Sequence, residues 1–240
     1  SLSLELSVNT SGTEIRYTTN GGDPDSGSDL YTTTISIGEP TLIKARAFKD
    51  GMFTSPVFTG SYIIADHDLP VVCITTPPGN LWDGETGIYT PGDHANEGSR
   101  IANYWNNWER PAHIELYEPD GDASFSIDAG IKIFGWGSRA NGRRSMAVMI
   151  REKYGVEELE YPLFPDSEIS QYKSFVLRNA GQDWQSSLIR DPLIIELARD
   201  LDVERQLFRY CVVYLNGEYW GVYEYREKVD DLDFTEEYYD

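Results

Sequence analysis

Cysteine, histidine and cations are scarce in this sequence, which has two Cys, three His, and 20 Lys and Arg against 40 Asp and Glu in 240 residues. Two cysteines cannot make a disulfide framework. Cys73 and Cys211 lie in apolar strand-like stretches, VVCIT and RYCVVYL, at a separation that fits neither a zinc knuckle nor a redox pair, so both are expected to be buried free thiols. His67, His94 and His113 fall in different elements, leaving little from which to build a His-based metal site or a Ser/His/Asp triad. The net charge of −20 repels polyphosphate backbones and anionic bilayers at long range, which argues against nucleic-acid binding. Apolar runs such as PVVCI and LIIEL are far short of the roughly 20 residues that cross a bilayer, so no membrane span is expected. The start, SLSLELSVNT, lacks the basic and apolar regions of a signal peptide, and the chain is read as cytosolic or as already trimmed. What is present is ordinary globular material, 40% apolar, 25% charged and 13% aromatic.

Up to about residue 64 short strands alternate with turns: LELSV, EIRYTT, TTTISI, TLIKARAF and SPVFTGSYII. Asn20, Gly21, Gly22 and Pro24 supply turn chemistry, as does KDG at 49–51. The pattern predicts a small antiparallel β-sandwich. Leu42, Lys44 and Arg46 are expected on one side of their strand and Ile43, Ala45 and Ala47 on the other, one face covered and one wet. The turn Asp23, Asp25, Asp29 has D-x-D-x-G-x-D spacing, which oxygen ligands can use for Ca²⁺. It lacks the closing Glu of an EF-hand loop, so the competing reading is a solvated hairpin turn.

The pieces IRYTTNGGDPD, LYTTTISI, LIKARAFKDG and SPVFTGSYII resemble the chitobiase C-terminal-type module found beside catalytic domains in secreted carbohydrate-active enzymes. The resemblance covers nearly all of residues 5–64 and implies an accessory domain in an extracytoplasmic setting. ADHDLP at 65–70 interrupts the alternation, and the domain boundary is placed there: 1–66, then 67–240. Residues 79–110 are loop-rich with Tyr104, Trp105 and Trp108, a length that suggests a functional or packing loop. Strands return in AHIELYE, FSIDAGIKIFG, RRSMAVMIRE and KSFVLRN. In RDPLIIELARDL, Asp191 can cap, Pro192 fits the first helical position, and Leu193, Ile194, Leu197, Ala198 and Leu201 recur at helical spacing, predicting a helix from 192 to about 201. RYCVVYLNG and EYWGVYEYRE read as a hairpin on the Asn216-Gly217 pair. The expected fold is mostly β: an immunoglobulin-like sandwich, then an α+β domain of an antiparallel sheet with one main helix.

LWDGETGIYTPG, NWERPAHIELYEPDG, AGIKIFGWGSRANGRRSMAVMIREKYG, KSFVLRNAGQDW, SLIRD and VVYLNGEYWGVYEYREKVD, in this order over residues 70–240, resemble the CotH (spore coat protein H) kinase family, whose members are atypical secreted or surface protein kinases. The resemblance implies a kinase-like N-lobe and, in a complete protein, transfer of the γ-phosphoryl of ATP to a protein hydroxyl, with Mg²⁺ as the metal. It also implies a protein or cell-surface partner and an extracellular or cell-surface location in a bacterium. Phosphoryl transfer needs cations facing a cleft. Arg139, Arg143 and Arg144 beside Gly135, Gly137 and Gly142 are nucleotide-binding candidates, and the alternative is that they balance carboxylates on an exposed hairpin. Family members often have two lysines where this chain has Arg143 and Arg144.

A strand cation paired with a carboxylate on the following helix makes Arg144 with Glu196 a further expectation. Glu224, Arg226 and Glu227 are candidates by position for contact with an adenine ring, or else an exposed salt-bridged strand end. Catalytic residues remain unassigned. Asp230, Asp231 and Asp233 read as a solvated terminal run rather than a metal site, and the chain is expected to be a fragment truncated before the second lobe and inactive by itself. The competing function is a non-catalytic glycan- or protein-binding scaffold using Trp82, Trp105, Trp108 and Trp220, with Trp105 and Trp108 in the polar YWNNWER loop preferred.

Overall fold

The computed structural model describes residues 1–93, 95, 100–121, 123–203 and 205–229. Its elements in chain order are β1 (Leu2–Leu4), β2 (Glu14–Thr18), β3 (Asp29–Leu30), β4 (Ile35–Ile37), β5 (Thr41–Phe48), β6 (Phe58–Tyr62), β7 (Val71–Thr75) and α1 (Pro78–Trp82). After α1 come β8 (Arg110–Tyr117), β9 (Ala123–Ile133), β10 (Met146–Met149), β11 (Leu159–Glu160), β12 (Gln171–Tyr172), β13 (Ser174–Arg178), α2 (Arg190–Leu197), β14 (Phe208–Leu215) and β15 (Glu218–Glu227). The chain is mostly β, as its alternating patterns predict.

The first part holds a four-stranded sheet, β3-β2-β5-β6, and a two-stranded pair, β1-β4. Its turns follow the sequence: Gly21 and Gly51 take positive φ, and the Met52 amide bonds the Lys49 carbonyl at 3.1 Å. The expected wet face of β5 is not wet. Leu42 and Lys44 are both buried, Leu42 against Gly217 of the second part, and Lys44 with its ammonium on Asp23 and on the Gly21 carbonyl. A face that reads as solvated in isolation is covered because the two parts dock through it.

The second part is a closed seven-stranded barrel, β10-β13-β15-β14-β7-β8-β9, a closed form of the antiparallel sheet expected from the sequence in which one pair, β7-β14, is parallel. Closure follows from two pairings. β9, 11 residues long, pairs with both β8 and β10. The chain then returns through the β14–β15 hairpin to lay β14 parallel to β7. Closing the sheet removes its exposed edges. Asn216 (φ 50) and Gly217 (φ 84) make the tight turn of that hairpin, in the type I′ conformation their residue types favour.

Alternation then sorts the side chains. Val72, Ile74, Ile114, Leu116, Ile131, Ile133, Met146, Val148, Phe175, Leu177, Cys211, Val213, Tyr223 and Tyr225 fill the interior. Residues 78–109 cap one end of the barrel through Leu81, Ile88 and Tyr89, and 150–172 cap the other through Leu159, Leu163 and Phe164. The long loop is therefore a packing loop in much of its length. Cys211 lies inside the barrel and Cys73 outside it, both buried and free, and burial pushes the Cys73 thiol up to about 12.

α2 departs from expectation at both ends. It spans Arg190–Leu197, its N-terminal flanking residue is Ile189, and Asp191 sits in the first turn rather than capping. Pro192 is buried, whereas Leu193, Ile194, Leu197 and Leu201 are exposed, so the apolar spacing that predicted the helix points largely away from the barrel.

Candidate functional site

Across the outer surface of the barrel one row of cross-strand neighbours reads Lys132 on β9, Ala147 on β10, Val176 on β13, Arg226 on β15 and Phe208 on β14. The adjacent row places Arg178 beside Glu224 and Glu224 beside Tyr210. Strand parity makes these outward neighbours of an inward apolar set. Ala147, Met149 and Val176, with Phe134 packed on them, form an apolar floor between Lys132 on one side and four charged groups on the other.

Those four groups are two arginines and two carboxylates. Nε and Nη2 of Arg178 both donate to Asp191 Oδ2, at 3.1 and 2.6 Å, joining β13 to α2. Arg226 forms an ion pair with Glu224, donates from Nη1 to Gln206 Oε1 at 3.3 Å, and has Asp191 Oδ2 3.9 Å from the same nitrogen. Glu224 and Arg226 are only 1% and 3% exposed; Arg226 Nη2 is the nitrogen that pairs with Glu224 Oε2, and Glu224 Oε1 has no hydrogen-bond partner. Burial raises the Glu224 carboxyl against the opposing pull of Arg226, and burial likewise lowers Arg226. A buried polar atom left without a hydrogen bond costs about 1–3 kcal/mol, so Glu224 Oε1 is a local cost to stability. Among the described residues the Lys132 side chain carries no hydrogen bond or ion pair.

The residues predicted from sequence are placed as follows. Arg139 is a structural tie: its Nε donates to the Gly135 carbonyl at 2.6 Å, Nη1 to those of Trp105 and Asn106 at 3.0 and 3.3 Å, and Nη2 to Asn107 Oδ1 at 2.9 Å. Arg143 lies over Gly221, with Nη1 3.5 Å from the Val222 carbonyl. Arg144 is buried, its guanidinium 4.9 Å from the centre of the Tyr89 ring and 4.3 Å from that of Tyr104, with Nε unpartnered. The expected Arg144–Glu196 pair does not form, because Glu196 is exposed and bonded to Arg199 at 2.7 Å. A strand cation does meet a carboxylate of the following helix, but the pair is Arg178–Asp191.

Glu224 and Arg226 face outward together, buried rather than exposed, while the Glu227 carboxylate accepts the Leu207 amide at 2.7 Å. Trp105 and Trp108 are half-buried, with Arg100 5.4 Å from one ring and Arg110 5.3 Å from the other. Asp25 is held in its turn by the Gly27 amide and the Ser28 hydroxyl, which lower its pKa, and Asp23 bonds Lys44.

Lys132, Arg178 and Gln206 were not singled out from sequence, and Asp191 only as a helix cap. The available signal was charge at alternate positions in otherwise apolar strands, as in Ile-Lys-Ile and Glu-Tyr-Arg.

Among the described residues, this face in its chemistry offers a nucleotide one free cation, Lys132, for phosphate oxygens, whereas Ala147, Met149 and Val176 are covered and back the face, and Arg226 is held in its ion pair with Glu224. A metal does not fit here, since Asp191 and Glu224 are already held by arginines, and among the described residues no three His, Cys, Asp or Glu side chains gather to hold one. Asp230, Asp231 and Asp233 lie outside the described residues.

Residues 131–238 match the family model described as CotH kinase protein, and residues 1–59 match that of the chitobiase/beta-hexosaminidase C-terminal domain. Both resemblances drawn from the sequence are thus present, in the expected order. The first match begins next to Lys132 and takes in every residue of the charged face. A comparison with curated proteins finds no match.

Proposed function

We propose that the barrel is the nucleotide-holding part of a CotH-like protein kinase acting at a cell surface or outside the cell, which in its complete form transfers the γ-phosphoryl of ATP to a protein hydroxyl with Mg²⁺. The observation that carries this reading is the strand-to-helix pair Arg178–Asp191 set beside the row Lys132, Ala147, Val176 and Arg226. In protein kinases a strand cation and a helix carboxylate must be in place together for phosphoryl transfer, which works mainly by positioning and by stabilising charge. ATP supplies the phosphoryl group, and the bond broken is the one to its β–γ bridging oxygen. The tasks of this chain are local: Ala147, Met149 and Val176 exclude water from one side, Lys132 offsets phosphate charge, and Arg178 fixes α2 through Asp191. The uncovered Leu193, Ile194, Leu197 and Leu201 support an arrangement in which another part of the protein seats on α2 and brings the metal ligands and the group that orients the hydroxyl.

The test is calorimetric titration of Mg²⁺-ATP into the 240-residue chain. Saturable binding is expected, weakened roughly tenfold to a hundredfold in Lys132→Ala if one charge-assisted bond is lost. A flat isotherm, or one that Lys132→Ala leaves unchanged, overturns the assignment.

A further inference from the structure

Away from the charged face, where the N-terminal sheet meets the barrel, an open cleft of about 540 Å³ is lined by Thr19, Asn20 and Glu39–Leu42 on one wall and by Pro78, Leu81, Trp82 and Leu215–Glu218 with Trp220 on the other. Its volume is in the range of small-molecule sites. Two local features aim its aromatic groups. α1 begins at Pro78 and ends on Trp82, which remains 46% exposed. The β14–β15 register slips between Val213 and Tyr214, leaving Trp220 as the bulged residue with no cross-strand partner. Bulges re-aim a side chain in this way.

The aromatic group is held rigidly from behind. Trp82 meets Tyr89 at 5.2 Å and Trp220 at 6.0 Å between ring centroids, and Tyr89 meets Trp220 at 5.5 Å. The Tyr89 hydroxyl accepts from the Arg144 amide at 2.7 Å and from Trp220 Nε1 at 3.0 Å. The buried Arg144 therefore supports this cleft through its backbone.

The polar rim is one-sided in charge. Glu39 and Glu218 are exposed, their carboxylates have no partner among the described residues, and no Lys, Arg or His lines the cleft. Asn20 and Asn216 spend Oδ1 on the Gly22 and Thr76 amides, at 2.9 Å each, and so keep their NH₂ groups as donors. A ligand here must be without negative charge, must both donate and accept hydrogen bonds, and must offer a flat apolar face to indole. Nucleotides, phosphopeptides and acidic glycans fail the first condition, because the two carboxylates would repel them.

We infer that this cleft binds an uncharged β-linked oligosaccharide of gluco configuration. Equatorial hydroxyls in such a sugar leave axial C–H groups on both ring faces to pack on Trp82, and its hydroxyls complement the two carboxylates and the two amides. The inference is independent of the nucleotide reading, since the two sites share no lining residue.

The test titrates cellohexaose, chitohexaose and a galacturonic acid hexamer into the 240-residue chain, following tryptophan fluorescence and heat. At least one neutral hexasaccharide is expected to saturate and the acidic one is not. Loss of the stacking face in Trp82→Ala should weaken binding by about tenfold or more. Loss of one rim acceptor in Glu39→Ala or Glu218→Ala, both exposed and harmless to folding, should weaken it roughly threefold. Trp136→Ala, which removes an exposed indole outside the cleft, and Lys132→Ala should leave sugar binding unchanged. The proposal is overturned if neither neutral hexasaccharide binds, if the acidic one binds as well, or if binding persists in Trp82→Ala. Should that variant fail to fold, persistence in the double variant Glu39→Ala/Glu218→Ala overturns it instead.

Discussion

The barrel and the N-terminal sheet are built from the same short strands and glycine turns, yet they hold together differently. The barrel closes on itself and packs its own continuous apolar interior, whereas the part before it, an open sheet and a strand pair, keeps only Ile37, Leu42, Ile43 and Ala45 as buried apolar residues. The smaller part completes its burial against the larger. Gly21 sits so near Thr76 and Asn216 that a Cβ would come within 2.5 Å of the Thr76 carbonyl, and the Tyr117 hydroxyl lies between two acceptors, the Ser61 carbonyl at 3.0 Å and Glu115 Oε1 at 2.8 Å. A sheet of this size gains stability from its neighbour, and the seam so formed is where the aromatic cleft lies.

The comparison can be broken from the barrel side first. Phe175→Ala removes a fully buried ring from the barrel interior and should cost about 3–5 kcal/mol, lowering the midpoint of a single denaturant transition that takes the N-terminal sheet with it. Two separate transitions, with the sheet unfolding at its original midpoint, would show that the sheet stands alone. From the seam side, Gly21→Val meets both a φ of +88° and the Thr76 carbonyl, and should cost about 1–3 kcal/mol. Limited proteolysis should then cut within 1–64 while the barrel survives, and equal protection of both parts would sink the dependence argued above.

The smallest effect is acid. Glu118 accepts from Arg209 Nη1 at 2.7 Å and from the Tyr161 hydroxyl at 2.9 Å. Burial by itself would raise its carboxyl, but Arg209 and Tyr161 outweigh that and hold it below the ordinary glutamate value. A depressed carboxyl contributes stability above its unfolded pKa and loses it as pH falls through the folded one. Glu118→Gln should therefore cost about 1 kcal/mol at pH 7 and less as pH falls below about 4. A difference between variant and parent that stays constant from pH 7 to pH 3 would refute the pairing.

Much of the strand order was legible because the signals were local. TLIKARAF is β5 residue for residue, and Asn216-Gly217 marks the last hairpin. Closure of the barrel was not legible, since the β7–β14 pairing joins segments about 140 residues apart and leaves no local mark. The same limit governed the sites. Arg139 and Arg144 sit in a conspicuous basic cluster, yet backbone carbonyls and tyrosine rings occupy them, whereas Arg178 was an unremarkable strand residue until Asp191 met it. Trp105 and Trp108 stood out by the polar YWNNWER loop, and Trp82, at the end of a short helix, proved the more exposed.

Sequence alone determined the two-part order, the turns, the presence of most of the longer strands and the resemblance to the two matched families, because each depends on residue type at short spacing. Only the tertiary structure decided which charges share a face, which arginines are spent on structure, and which indole reaches solvent. Those outcomes depend on the register between distant strands and on the docking of one part against the other, and strand alternation fixes a side chain's face without fixing its neighbour.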